Sequence, residues 1–356
     1  MQTPVDVFVS SDEKIRDEAI SVVKSLPDTI EIEPSVSILE LIGIDPILKL
    51  TKFKRKGHAD IYAKLEYMNP SGSIKDRMVD FCIEQAEKRG ELKKGYKIVE
   101  ATSGNTGVAV SMCAAARGYN AVLVMPDSTA EVKKKMMSSF GARLVLVPEK
   151  EGLAGVVKKA KELAKKEDHW FLNQFENRDN PRSHLETGKE IVKALGKSVV
   201  DAFVAAIGTG GTLVGVSRVL KGANPRARIV AVEPEKAPAF YNMFYGKSLK
   251  VGKGIAHQIE GIGEGFAPKI LADNRRIVDE VLLVNEEDAI NTMHELIKKE
   301  GVFVGMSSGA NVWAAMQISK RLGEGKTVVT VLPDSGQRYL NTEAFKKCKA
   351  QKIGVK

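Results

Sequence analysis

The sequence predicts an α/β protein with two mostly parallel sheets, each covered by helices on both faces. Three observations carry this: short β-branched runs that are apolar almost throughout, helical patterns between them, and glycine- and hydroxyl-rich turns just after several of the strands. In chain order the strand runs are DIYAKLEY (60–67), KIVEA (97–101), NAVLVMP (120–126), RLVLVP (143–148), FVAAIG (203–208), RIVAVEP (228–234) and TVVTVLPD (327–334). The polar stretch NQFENRDNPRSH (173–184) separates the first four from the rest. It predicts two sheets with a cleft between them, a smaller domain over 35–180 and a larger one over 181–345. Residues 1–34 read as an extension: Ser10 and Glu13 have capping-box spacing, and Ile15, Ala19, Val22, Val23 and Leu26 form one helical face before Pro27. KKCKAQKIGVK (346–356) reads as a basic tail.

Composition narrows the function classes. With 356 residues, 43% of them hydrophobic, the chain can bury a substantial core. No apolar run reaches the length of a membrane span, and MQTPVDVFVSSDEK lacks the layout of a secretory signal, so the expected compartment is the cytoplasm. Cys82, Cys113 and Cys348 lie far apart without a Cys-x-x-Cys pair, and the five histidines share no ligand spacing; neither disulfides nor a metal site are expected. The net charge of +9 comes mainly from lysines in helical stretches such as KKKMM (133–137) and KKAKELAKKE (158–167). These read as solvated helix faces and not as a nucleic-acid stripe.

Four stretches carry the chemistry: NPSGSIKDR (69–77), TSGNTG (102–107), GTGGT (208–212) and GMSSGAN (305–311). Each sits after an apolar strand or at a helix start, where open α/β sheets bind ligands. In GTGGT the backbone N–H groups and the helix dipole converge on an anion such as phosphate. A dinucleotide fingerprint would need glycine at 213, which is Leu213; a P-loop ending in GEGKT (323–327) would need glycine at 320, which is Lys320. Lys75 follows a Pro and Gly turn where a helix begins, and a lysine partly desolvated there can lose its proton near neutrality and attack an aldehyde. In TSGNTG, Thr102, Ser103 and Thr106 offer hydroxyls suited to a carboxylate, and Asn105 can donate to a phenolate oxygen.

These motifs, in this order, resemble the fold type II pyridoxal-phosphate enzymes, and within them the cysteine synthase and cystathionine β-synthase branch. The resemblance runs from about Ile38 to about Tyr339. It implies two α/β domains with pyridoxal 5'-phosphate in the cleft between them. It makes Lys75 the catalytic lysine, holding the cofactor as a Schiff base, and it assigns the cofactor phosphate to Gly208, Thr209, Gly210, Gly211 and Thr212. Asn105 would meet the pyridoxal oxygen, and Ser307 the ring nitrogen. Thr102, Ser103, Gly104, Thr106 and Gln174 would bind the substrate carboxylate, and Gly261, Ile262 and Gly263 would line the mouth of the cleft. His257 reads as a structural or surface histidine; Asp334 and Ser335 read either as neighbours of the ring nitrogen or as a turn. A serine hydroxyl cannot keep the pyridine nitrogen protonated as a carboxylate would, which suits β-elimination better than transamination.

The implied reaction is β-replacement: L-cysteine from an activated L-serine, O-acetylserine or O-phosphoserine, and sulfide, through an aminoacrylate. A cystathionine-forming or amine-using β-replacement enzyme is the first alternative, and a non-catalytic binding or regulatory relative the second. The resemblance also implies a homodimer, and some members receive the C-terminal tail of serine acetyltransferase in the cleft. Neither haem nor nucleotide regulation is expected. One departure stands out: cysteine synthases usually read Gly-Asn-Thr-Pro where this chain has Gly43, Ile44, Asp45 and Pro46, so a hydrogen bond at that turn is expected to differ.

Overall fold

A computed structural model of the chain describes residues 35–195, 200–251 and 257–346. The expected N-terminal helix and all but the first residue of the basic tail lie outside these residues. Among the described residues ten strands form two sheets: β1 (Ile47–Lys49), β2 (Asp60–Lys64), β3 (Lys97–Ala101), β4 (Asn120–Pro126), β5 (Arg143–Val147), β6 (His169–Phe171), β7 (Ala202–Ala206), β8 (Arg228–Pro234), β9 (Glu280–Val284) and β10 (Thr327–Val331). The larger sheet has the order β1-β2-β10-β7-β8-β9, parallel except for β1; the smaller, β5-β4-β3-β6, is wholly parallel.

Both sheets are apolar on both faces, which is why their strands read as continuous runs. Alternate side chains point opposite ways. In the smaller sheet Ile98 and Leu123 enter one core cluster and Val99, Val122 and Val124 another; in the larger, Val204, Val230 and Val328 face one cluster and Phe203, Ile229 and Val329 the other.

One expectation needs correcting. The run at 60–67 does not join the next three strands: β2 pairs with β10 in the larger sheet, Asp60 opposite Thr327 through Lys64 opposite Val331. Its Ile61 and Ala63 pack in that sheet's core. The fourth place in the smaller sheet is taken by β6, a three-residue strand too short to show a period. The parallel partner of β2 lies more than 250 residues away, beyond the reach of local pattern.

Helices α1 (Lys75–Lys88), α2 (Asn105–Arg117), α3 (Glu131–Ser139), α4 (Gly152–Leu163), α5 (Asp179–Leu195), α6 (Gly211–Ala223), α7 (Ala239–Tyr245), α8 (Lys269–Asp273), α9 (Glu286–Glu300), α10 (Met306–Leu322) and α11 (Glu343–Lys346) complete the described fold. In α1 the buried face is Met78, Val79, Cys82, Ile83 and Ala86, at helical spacing. Burying each larger member is worth roughly 1.5–3 kcal/mol, which anchors the helix whose first residue is Lys75.

Candidate active site

Residues attached to both sheets line one cavity of about 730 Å³. Lys75 stands on it at the first position of α1. The preceding turn needs Gly72, whose φ is +86°. Asp76 closes that turn by accepting from the Ser71 backbone N–H at 2.6 Å and from the Ser71 hydroxyl, and burial pushes its carboxyl up to about 6. Ile74 N–H donates to Pro333 O at 2.8 Å, tying the turn to the end of β10. Burial drives the Lys75 ammonium below its ordinary value, with the carboxylates of Asp334 and then Glu264 opposing. Its place at a helix N-terminus also disfavours positive charge.

The loop between β3 and α2 brings Thr102, Ser103, Gly104, Asn105 and Thr106 to the same cavity, where Gln174 joins them. The Gly104 N–H donates to Thr102 Oγ1 at 3.2 Å, and the Thr106 hydroxyl donates to Gln174 Oε1 at 2.7 Å. Burial pushes the Glu100 carboxyl, in β3 beneath this loop, up to about 8; backbone N–H groups of Gln174 and Asn173 oppose the shift.

The loop between β7 and α6 is built differently. A Cβ on Gly208 would sit 2.7 Å from Gly261 O, one on Gly211 1.8 Å from Asn180 Oδ1, and Gly210 has φ +83°. The backbone is therefore held where only glycine fits, leaving its N–H groups at the start of a thirteen-residue helix. Thr209 Oγ1 accepts from Asn180 Nδ2 at 3.0 Å and from Gly211 N–H at 3.3 Å, so its own proton remains for an acceptor in the cavity. Thr212 Oγ1 lies 3.3 Å from His184 Nε2. Burial, with Arg77 and Lys75 nearby, holds His184 well below its usual pKa and hence neutral. A glycine cradle, two hydroxyls and a helix N-terminus fit a phosphate, and a lysine with depressed pKa fits an aldehyde; the residues present thus suit pyridoxal phosphate.

Ser307 also lines the cavity, whereas its neighbour Ser308 does not. Asn311, one turn later in α10, accepts from Ala206 N–H at 2.7 Å and donates to Val331 O at 2.8 Å, locking the helix start against β7 and β10. Gly261, Ile262 and Gly263 lie on the cavity wall, and His257 lines it too, buried, with Nε2 donating to Gly263 O at 3.0 Å. Of the residues named from sequence for the cofactor and substrate, Gly211 does not line the cavity but packs on Asn180, and Ser335, the alternative neighbour of the ring nitrogen, does not line it either, whereas Asp334 does.

The sequence reading missed Lys133, Glu260, Glu264 and Asn180. Lys133 was expected on a solvated helix face, but it is 6% exposed, lines the cavity and pairs with Glu260. Within a run of three lysines nothing local marks the one that turns inward. Asn180 ties the glycine loop to Gln174, donating to Gln174 O at 2.7 Å and to Thr209 Oγ1. The departure at Asp45 has its counterpart: its carboxylate pairs with Lys64 and, at 2.8 Å, with Arg77. Arg77 in turn holds Glu66 at 2.8 Å and Glu190 at 2.6 Å, so three carboxylates gather around two buried cations behind Lys75.

A family model described as "Pyridoxal-phosphate dependent enzyme" matches residues 38–334. A cysteine synthase of Staphylococcus aureus is 43% identical over 314 residues, covering 88% of this chain and 98% of that protein. Among solved structures, O-ureido-L-serine synthase superposes with a TM-score of 0.82 at 38% identity, covering 90% of this chain and 98% of that one. A cysteine synthase of Entamoeba histolytica gives 0.81 at 35% identity, over 93% and 95%. With a family model spanning most of its length and such relatives over nearly all of theirs, the chain belongs to the pyridoxal-phosphate dependent enzymes.

Proposed function

We propose that this enzyme performs β-replacement, making L-cysteine from an O-activated L-serine and sulfide. The observation that carries the reading is the convergence on one cavity of Lys75, the hydroxyl loop at 102–106 and the glycine loop at 208–212. The similarity to cysteine synthases supports it. Pyridoxal phosphate, when bound, supplies the electron sink that makes the α-proton of an amino acid removable.

The chain's own residues do the rest. Lys75 would carry the cofactor, and its Nζ, whose pKa burial depresses toward the neutral amine, would serve as the general base for the substrate α-proton. Thr102, Ser103, Gly104, Thr106 and Gln174 hold the substrate carboxylate. Gly208, Thr209, Gly210, Gly211 and Thr212 hold the cofactor phosphate, and Asn105 donates to the phenolate oxygen. Ser307 would meet the cofactor's ring nitrogen with a hydroxyl, which cannot hold a proton there as a carboxylate would, a setting that suits β-elimination. Gly261, Ile262 and Gly263 shape the mouth through which donor and sulfide enter. Two identical subunits and a cytoplasmic location complete the reading; light scattering checks the first. No helix among the described residues is long and apolar enough to cross a membrane.

The test supplies the purified holoenzyme with sulfide and, in turn, serine, O-acetylserine and O-phosphoserine. Cysteine is expected from at least one O-activated donor and not from the Lys75→Ala variant. An enzyme that eliminates the donor but yields product only with homocysteine or an amine would contradict the sulfide assignment.

A further inference from the structure

The side chain of Asn105 is held from both ends. Its Nδ2 donates to Asp334 Oδ2 at 2.6 Å, and its Oδ1 accepts from the Arg338 guanidinium. A carboxylate's bare oxygens accept and a guanidinium only donates, so these two partners leave the amide one orientation. The NH₂ group has two N–H bonds and Asp334 takes one. The other is left for a ligand in the cavity that Asn105 lines.

Asp334 is itself wedged. It is 1% exposed, three residues beyond β10; its Oδ2 also accepts from the Tyr339 hydroxyl, and its Oδ1 has no partner among the described residues. A Cβ at Gly305 would lie 2.3 Å from that Oδ1, so only glycine there leaves room for the carboxylate. Arg338 continues the tie to the Lys75 turn by donating to Ser71 O, and Gly72 O accepts from Ser335 N–H at 3.2 Å.

We propose that Asp334, together with Arg338, is a positioning residue that locks the Asn105 amide with its second N–H directed at the cofactor's phenolate oxygen. The proposal rests on the reading of Asn105 as the cofactor's oxygen donor, and it assigns Asp334 a task beyond turn formation. Among charged groups, Asp334 also acts most strongly on Lys75.

The test compares holoenzymes by pyridoxal phosphate affinity and visible absorption maximum: wild type, Asn105→Ala, Asp334→Ala, Asp334→Asn, and Asn105→Ala combined with Asp334→Ala. Asp334→Ala is expected to weaken cofactor binding roughly tenfold, the scale of one lost hydrogen bond, and to move the absorption maximum in the same sense as Asn105→Ala. Asp334→Asn keeps an acceptor oxygen and should stay within about threefold of wild type. The double variant should be no weaker than Asn105→Ala alone, because the lock acts only through Asn105. Additive losses in the double variant, or an Asp334→Asn protein as impaired as Asp334→Ala, would overturn the lock while leaving the Asn105 reading standing. An Asn105→Ala protein with wild-type affinity and spectrum would overturn that reading and the lock with it. If Asp334→Ala does not fold, Asp334→Ser takes its place under the same criteria.

Discussion

The loop at 102–106 and the loop at 208–212 share a plan: each leaves the carboxyl end of a parallel strand and opens a thirteen-residue helix onto one cavity. They use it differently. The first presents side chains, with the Thr106 hydroxyl set by Gln174. The second presents backbone, with Gly208 and Gly211 pressed against Gly261 and Asn180 so closely that a Cβ has no room. A hydroxyl site can lose one contact and keep its shape, whereas a glycine site fails as soon as an atom is added. The two loops should therefore break in different ways, one losing donor and the other losing cofactor.

The largest effect is expected at Gly211→Ala. The new methyl would displace Asn180, which also holds Thr209 and the Gln174 carbonyl. Overpacking of this kind costs about 1–3 kcal/mol, so lower thermal stability and weaker pyridoxal phosphate binding should appear together, by calorimetry and by absorbance titration. Retained stability and affinity would mean that Asn180 can yield. A smaller and more selective effect is expected at Thr106→Val, which keeps the shape and removes the hydroxyl. KM for the serine donor should rise roughly tenfold while cofactor affinity changes little, and steady-state kinetics beside the same titration would show it.

The smallest effect concerns Glu100, under the hydroxyl loop. Its folded pKa is raised to about 8 from an ordinary 4.5, so its contribution is fully present below about 4.5 and is lost as pH rises toward 8. Thermal stability should decline across that window in the wild type, and less steeply in Glu100→Gln. Equal slopes by pH-dependent calorimetry would remove Glu100 as a source.

Much of this comparison is readable before folding. A glycine-rich turn between an apolar run and a helix points to backbone anion binding, and hydroxyls in the same place point to a carboxylate; 102–106 and 208–212 each announce themselves. Strand identity is equally legible where both faces are buried, as in β4 and β8, whose bounds coincide with the sequence runs. What local pattern cannot hold is pairing at long range. Nothing in 60–64 names β10 as its neighbour, and nothing in 133–135 shows that Lys133 turns inward over the Tyr339 ring, 5.5 Å away. Asn180 sits in a polar stretch that reads as a boundary, yet its amide ties the glycine loop to the backbone of Gln174. These are facts of packing between distant segments, and they are where the site acquires its second layer.

Every assignment above depends on the cofactor being carried by Lys75. Reduction of the holoenzyme with borohydride, followed by peptide mapping by mass spectrometry, tests this without reference to turnover. The account predicts that the pyridoxyl group is found on the peptide containing Lys75 and nowhere else in significant yield. A label on another lysine, Lys133 in the same cavity included, or no covalent label in a protein that binds the cofactor, would contradict it.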